Sequence, residues 1–253
     1  MSAQKKKPAG IGVYRHPSER EKHRYIGSLV GQWEKQAKEQ AELGTRFPFV
    51  TISREVGCLA FDVGLKLAER LNEEDASVVP WTVYDKEIVT QIADNLSMNE
   101  KLVEILTERS TSRLSDFTDS FFKGRPTVDT VVKESMRTVN TLCEKGRSII
   151  IGRAGCLVSA DAPRGFHLRL IAPFEWRVEQ IVATHKISQA DAEQRIRLIA
   201  PDREELFKKF YGRNVSDPDL YDITLNQANF KPHLLIELIV EAMRKRELLP
   251  EKR

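Results

Sequence analysis

A chain of 253 residues, 41% hydrophobic and 30% charged, can bury one sizeable core, or one core with a smaller appended unit. Its formal net charge of +3, with basic and acidic residues interleaved nearly everywhere, is too mild to argue for a nucleic-acid partner, and no segment has the uncharged length to span a bilayer. Cys58, Cys143 and Cys156 are an odd, widely spaced set without C-x-x-C, and the five histidines form no ligand pair with them; this argues against structural zinc or a disulfide framework and makes a reducing cytoplasm the default compartment.

Residues 1–17 mix Lys5, Lys6 and Lys7 with Pro8, Gly10, Gly12 and Pro17, the composition of a flexible tail, and lack the apolar run of a signal peptide. Ser18 to Glu21 then forms a Ser-x-x-Glu cap, and Ile26, Leu29, Val30, Trp33, Ala37 and Ala41 recur at helical spacing up to Gly44. Gly27 and Gly31 each weaken this helix by about 1 kcal/mol relative to alanine. It therefore needs to dock its Trp33 stripe, either on its own domain or on a partner.

The stretch from Phe49 to Leu71 reads as strand, turn, helix: Phe49, Val50, Thr51 and Ile52 are β-formers, and Val63, Leu67, Ala68 and Leu71 follow at helical spacing. A strand feeding a helix in this way aims free N–H groups at one point, where an anion can sit. The loop between them is Ser53, Arg54, Glu55, Val56, Gly57, Cys58, Leu59 and Ala60. A phosphate-binding signature G-x-x-x-x-G-K-[ST] would need glycines near Arg54 and Leu59, a lysine at Ala60 and a hydroxyl at Phe61, and has none of them. A plain βα unit and a nucleotide site both remain open here.

Residues 78–84 read as a second strand, entered through Pro80, with Asp85 at its carboxyl end either to cap a helix or to face a ligand crevice. Residues 86–145 read as almost entirely helical, with Ser97 to Glu100 a second capping pattern, a polar break at 110–115, and Phe117, Phe121 and Phe122 as an internal core. A simple crossover needs only about 10–12 residues, so this insertion is expected to build a cap over the sheet edge. Ser148 to Arg153 is a third strand that delivers Arg153 to the crevice, where an unpaired arginine would be costly. Phe166 to Ala172 is a fourth strand, and Pro173 opens the next helix.

Ser188 to Asp191 caps a further helix. From Arg177 to Arg203 the chain carries Lys186, Arg195, Arg197 and Arg203 on what read as short pieces broken at Pro201, suiting either a hinged lid over phosphates or a solvated charged surface. Asp222 to Gln227 is a last strand, and Pro232 to Lys245 a closing amphipathic helix.

In order, Thr51-Ile-Ser-Arg-Glu, Tyr84-Asp85, Ile150-Ile-Gly-Arg153, Ala172-Pro-Phe-Glu-Trp-Arg177, Ser188 to Arg203, and Tyr211-Gly with Leu220-Tyr-Asp-Ile-Thr-Leu-Asn226 resemble the cytidylate kinase-like family over about residues 48–245. The resemblance implies a P-loop nucleoside monophosphate kinase fold: an α/β domain with a parallel five-stranded sheet, helices on both faces, a helical monophosphate-binding insertion (about 86–145) and an arginine-bearing lid (about 177–203). That domain would occupy residues 47–253, after a tail and amphipathic helix in 1–46. The implied substrates are a nucleoside monophosphate, CMP or dCMP, and a nucleoside triphosphate, ATP, with Mg2+. By the same resemblance Asp85 sits near the nucleoside, Arg153 holds the monophosphate, Arg177, Arg195 and Arg203 meet transferring phosphates, and Ser53, Arg54, Gly57, Cys58, Leu59 and Ala60 form the donor loop. This chain departs from the family's Arg-Glu-Tyr-Gly-Ser-Gly-Gly-Arg-Glu loop with Arg54-Glu-Val-Gly-Cys-Leu-Ala-Phe-Asp62, and has Ala200 where the family has an aspartate. Two expectations follow: a kinase with a degenerate loop, or a catalytically impaired nucleotide-binding or regulatory protein on the same fold.

Overall fold

The computed structural model describes residues 33, 35–36, 38–40, 46–74, 79–86, 89 and 128–250. Five strands form one parallel sheet: β1 (Phe49–Arg54), β2 (Thr82–Tyr84), β3 (Ser148–Ile151), β4 (Gly165–Ile171) and β5 (Ile223–Asn226). Their spatial order is β2-β3-β1-β4-β5, with β1 in the centre and in register with both neighbours, Val50 opposite Ile149 and Phe166. The helices are α1 (Ala60–Glu74), α2 (Val128–Lys145), the short α3 (Gly155–Val158), α4 (Phe174–His185), α5 (Gln189–Tyr211) and α6 (Pro232–Lys245).

Parallel strands covered on both faces need apolar residues at successive positions. The isoleucines of β3 show why: Ile149 and Ile151 pack with Val50, Ile52, Leu168 and Leu170 under α1 and α6, whereas Ile150 faces the other way, with Phe49, Tyr84, Val139 and Leu142 under α2. On β4 the same alternation sends Phe166, Leu168 and Leu170 into the first core and leaves His167 and Arg169 on the opposite face. There the Thr51 hydroxyl and His167 Nδ1 are 2.8 Å apart, and burial holds the His167 pKa below its ordinary value despite the nearby Asp222.

Before β1, residues 33, 35–36 and 38–40 are helical, and Trp33 is 1% exposed in the core beneath α2. Its indole N–H donates to the Tyr84 hydroxyl at 3.3 Å. Gln36 donates to the carbonyls of Lys145 and Gly146, and Gln40 to that of Lys145, so this helix satisfies acceptors that α2 leaves open at its C-terminus. The tail at 1–17, the Ser18 cap and the apolar positions other than Trp33 lie outside the described residues. So do the Ser97 cap, the break at 110–115 and Phe117, Phe121 and Phe122 of the insertion.

Two sequence expectations are corrected. The second strand begins only at Thr82, because Pro80 has no N–H to give the ladder and lies before it. Pro201 does not break the segment into short pieces: α5 runs unbroken for 23 residues through it. A proline inside a helix forfeits the hydrogen bond to the carbonyl four residues back, here Arg197, and costs roughly 3 kcal/mol. The packing of Ala192 and Ile196 against Val56, Val178 and Ile181, together with burial of Phe207, offsets that cost. The Ser188 cap forms, its hydroxyl accepting from Asp191 N at 3.1 Å.

Candidate functional site

In an open parallel sheet, ligands bind beyond the carboxyl ends of adjacent strands whose following helices leave toward opposite faces. β1 and β3 are such a pair: α1 covers one face, while α3 lies on the other, with Val158 packed beneath α2 and Gly155 against Thr51. A cleft of about 1000 Å³ opens at this point. It is bounded by the end of β1, the turn after β3, Lys86, the N-terminal half of α2, and α5.

Charge dominates the cleft. Eight lysine and arginine side chains line it against three carboxylates, Glu55, Asp202 and Glu204. Arg54, the last residue of β1, lays its guanidinium over Gly152, where a Cβ would fall 2.0 Å from Nη1 and displace it, at a φ of 78° that favours glycine. The Arg54 pKa is lowered to about 10, first by burial and then by Arg203 and Arg153, with Asp85 opposing. Arg203 is lowered by burial and by Arg195, and Arg153 by burial, again with Asp85 opposing. Arg54, Arg153, Arg195, Arg203 and Asp85 therefore form one electrostatic group. Within it, like charges crowd together at a cost that a bound anion relieves.

The backbone at this point is strained as well. Gly152, Arg153 and Ala154 have φ of 78°, 52° and 51° in succession. Two non-glycine residues in the left-handed region are costly, and such strain collects at functional turns. Here it turns the chain from β3 into α3 and sets Arg153 at the cleft, with Nη2 donating to the Lys86 carbonyl at 3.3 Å. Asp85 also occupies a helix-capping position, its own carbonyl accepting from Val89 N at 3.0 Å.

The loop after β1 is built differently. Ser53 and Arg54 line the cleft, but Gly57, Cys58, Leu59 and Ala60 do not. Cys58 N donates to the Glu55 carbonyl at 3.2 Å, and Leu59 N to the Gln227 side chain at 2.9 Å. Gly57, at φ 98°, packs so closely on α4 that a Cβ would sit 2.7 Å from the Arg177 Cβ. Ala60 is buried in the core, and burial, followed by Glu55, pushes the Cys58 thiol up to about 12, so no thiolate is available there. Arg177 reaches the cleft wall, but its guanidinium is committed to the loop: it donates to the carbonyls of Ala172 (2.9 Å) and Val56 (3.1 Å) and lies 3.4 Å from Glu55.

A sequence model described as the cytidylate kinase-like family matches residues 49–229, from the first residue of β1 to just past β5. The chain belongs to the cytidylate kinase-like family. A solved structure of an uncharacterized protein from Eubacterium ventriosum superposes with a TM-score of 0.58 over 78% of this chain and 98% of that one, at 15% identity, a likeness of fold alone. A protein named uronate isomerase from Corynebacterium glutamicum is 29% identical over 93 residues, which are 37% of this chain and 18% of that protein's length. The chain thus spans under a fifth of that relative.

Two residues of this cytidylate kinase-like cleft, Arg169 and Ser135, and one behind the adjoining loop, Gln227, escaped the sequence reading. Arg169, 7% exposed on β4 opposite Ser53, donates to the Val215 carbonyl (2.7 Å) and to Ser216 Oγ (3.2 Å), and pairs with no carboxylate among the described residues. Its signal was the alternation of Phe166, Leu168 and Leu170, which makes a charge at 169 conspicuous in a strand buried on both faces. Gln227, which occupies the loop amide, and Ser135, on α2, carried no signal in the sequence. No helix among the described residues is long and apolar enough to cross a membrane.

Proposed function

We propose that the cleft transfers a phosphoryl group from a nucleoside triphosphate to a nucleoside monophosphate, with CMP or dCMP as acceptor and ATP as donor. The observation that carries this reading is the convergence of Arg54, Arg153, Arg195 and Arg203 beyond the ends of β1 and β3, where Arg203 and Arg153 lower the pKa of Arg54 and Arg195 lowers that of Arg203. Phosphoryl transfer asks a protein mainly for positioning and for compensation of negative charge. In this reading Arg153, fixed by the strained turn, holds the acceptor phosphate through a bidentate contact. Arg195 and Arg203, one above the other on α5, face the transferring group, and Arg54 neutralises it from below. Asp85 orients Arg153 and Arg54. Removing one such donor commonly costs a hundredfold to a thousandfold in rate, on the order of 3–4 kcal/mol.

The described residues contain no group of three or more His, Cys, Asp or Glu fit to cage a cation. That donor set suits magnesium carried in on phosphate oxygens and water, with Asp202 and Glu204, exposed on α5 at the cleft, as the carboxylates at hand. Bound there, the ion supplies neutralisation of charge on the donor phosphates.

A second reading rests on a separate observation. The loop that would cradle the triphosphate has its Cys58 and Leu59 amides engaged and its one glycine packed on Arg177, which favours a protein that binds nucleotide without turnover. Calorimetric titration with ATP and CMP, separately and together, beside a coupled assay of ADP release, separates the two. Turnover that needs both nucleotides supports the kinase. Binding without ADP release supports the second reading, and absence of any nucleotide binding removes both.

A further inference from the structure

The cleft holds one polar group that the arginine chemistry does not use. Ser135 is 5% exposed, lines the cleft, and its Oγ has no hydrogen-bond partner among the described residues. A buried hydroxyl left unpaired is costly, and helical serines and threonines usually discharge that cost by bonding the carbonyl one turn back. The neighbours on α2 do so: Thr138 Oγ1 donates to the Glu134 carbonyl at 2.9 Å and Thr141 Oγ1 to that of Arg137 at 3.0 Å. Ser135 does not.

Its height in the fold is set by elementary geometry. α2 turns into β3 through two residues, so the helix runs back along the strand. From Lys145 back to Ser135 is about 15 Å of helix at roughly 1.5 Å per residue, and from Ser148 forward to Ile151, where β3 ends, is about 10 Å of extended chain at roughly 3.3 Å per residue, with Arg153 in the turn beyond it. Ser135 thus stands beyond the end of β3, toward the turn that carries Arg153, and both residues line the same cleft. Its neighbour in the lining, Met136, offers a polarizable apolar surface. One hydroxyl that both donates and accepts, beside an apolar side chain, suits a flat neutral ring with a polar edge.

We infer that Ser135 is a specificity-determining contact for the nucleobase of the acceptor nucleotide, its Oγ hydrogen-bonding the base edge while Arg153 holds the phosphate. This rests on the acceptor reading above and adds the residue that tells a nucleotide from a sugar phosphate.

The test measures binding of CMP and of ribose 5-phosphate to wild type and to Ser135→Ala, with the melting temperature of each ligand-free protein. The inference expects CMP affinity to fall about tenfold, ribose 5-phosphate affinity to stay unchanged, and the ligand-free variant to melt no lower than wild type, because an unpaired buried hydroxyl has been removed. A serine that serves only the helix would give a lower melting temperature with CMP affinity unchanged. That result, or an equal loss for both ligands, overturns the inference and leaves the acceptor reading standing. Wild type that binds neither CMP nor any other nucleoside monophosphate overturns both.

Discussion

Two regions meet at the end of β1 and treat their polar groups in opposite ways. The loop from Glu55 to Ala60 is tied down: its Cys58 and Leu59 amides are answered by Glu55 and Gln227, its glycine is packed against α4, and Arg177 fastens it from outside. The cleft beside it is left unbalanced, with Arg54, Arg153, Arg195 and Arg203 drawn together and Asp85 offsetting only Arg54 and Arg153. On the function proposed above, the contrast places anion recognition in side chains and leaves the loop as a structural joint. In a phosphate-binding loop the amides would be the open groups and the side chains the incidental ones.

The largest effect that would sharpen this contrast is expected at Gly57. Gly57→Ala places a Cβ 2.7 Å from Arg177 Cβ and 2.8 Å from its carbonyl, at a φ that L residues rarely adopt. The strained conformation and overpacking together should destabilise the protein by roughly 2–5 kcal/mol, read from urea unfolding. A neutral result would mean that the loop is not a packed joint. Next in size, Arg153→Ala should weaken CMP binding by about 1.5–3 kcal/mol in calorimetry, the range for hydrogen bonds to charged groups, with melting unchanged. A fall in melting temperature with affinity intact would assign Arg153 to the fold instead.

Gln227→Ala should cost about 1–3 kcal/mol of stability by exposing the Leu59 amide without a partner, and should leave ATP affinity unaltered. Tighter ATP binding by this variant would break the contrast, because a freed amide would then be acting as a phosphate ligand. The smallest effect concerns the face below the cleft. Burial lowers the folded-state pKa of His167 below its unfolded value of 6.5, so the folded state binds fewer protons than the unfolded. The associated stability is present in full above 6.5 and is lost as pH falls from there through the folded value. His167→Gln should flatten the melting profile between pH 7 and 5, and an unchanged slope would remove His167 as its source.

Much of this architecture was legible because it rests on patterns that tertiary context rarely reverses. The β-branched runs at 49–52 and 148–151, the Ser188 cap and the Pro232 start all mark elements that formed where periodicity and capping put them. Arg153 was legible because a charge at the end of an apolar strand has few places to go. The reading failed where distant packing decides. Whether Pro201 ends a helix depends on what Ile196 and Phe207 bury, and nothing local at Gln227 or Ser135 reveals that one would fill a loop amide and the other face a cleft. The loop showed its missing glycines and lysine in the sequence. That its Cys58 and Leu59 amides are already taken is visible only in three dimensions.

The helix that carries Trp33 and the helix that closes the chain lie on either side of the stretch, 49–229, by which the family is recognised. Leu235, Ile236, Ile239, Val240 and Met243 of α6 complete one core, and Trp33 plugs the other. A chain trimmed to the recognised stretch would keep α1 on one sheet face and α2 on the other but lose α6 from the first core and Trp33 from the second, opening part of each to water. The piece that could be transplanted into another protein as a working module is thus longer than the piece that carries the family's signature, and its outer helices are where a graft would have to match the new host.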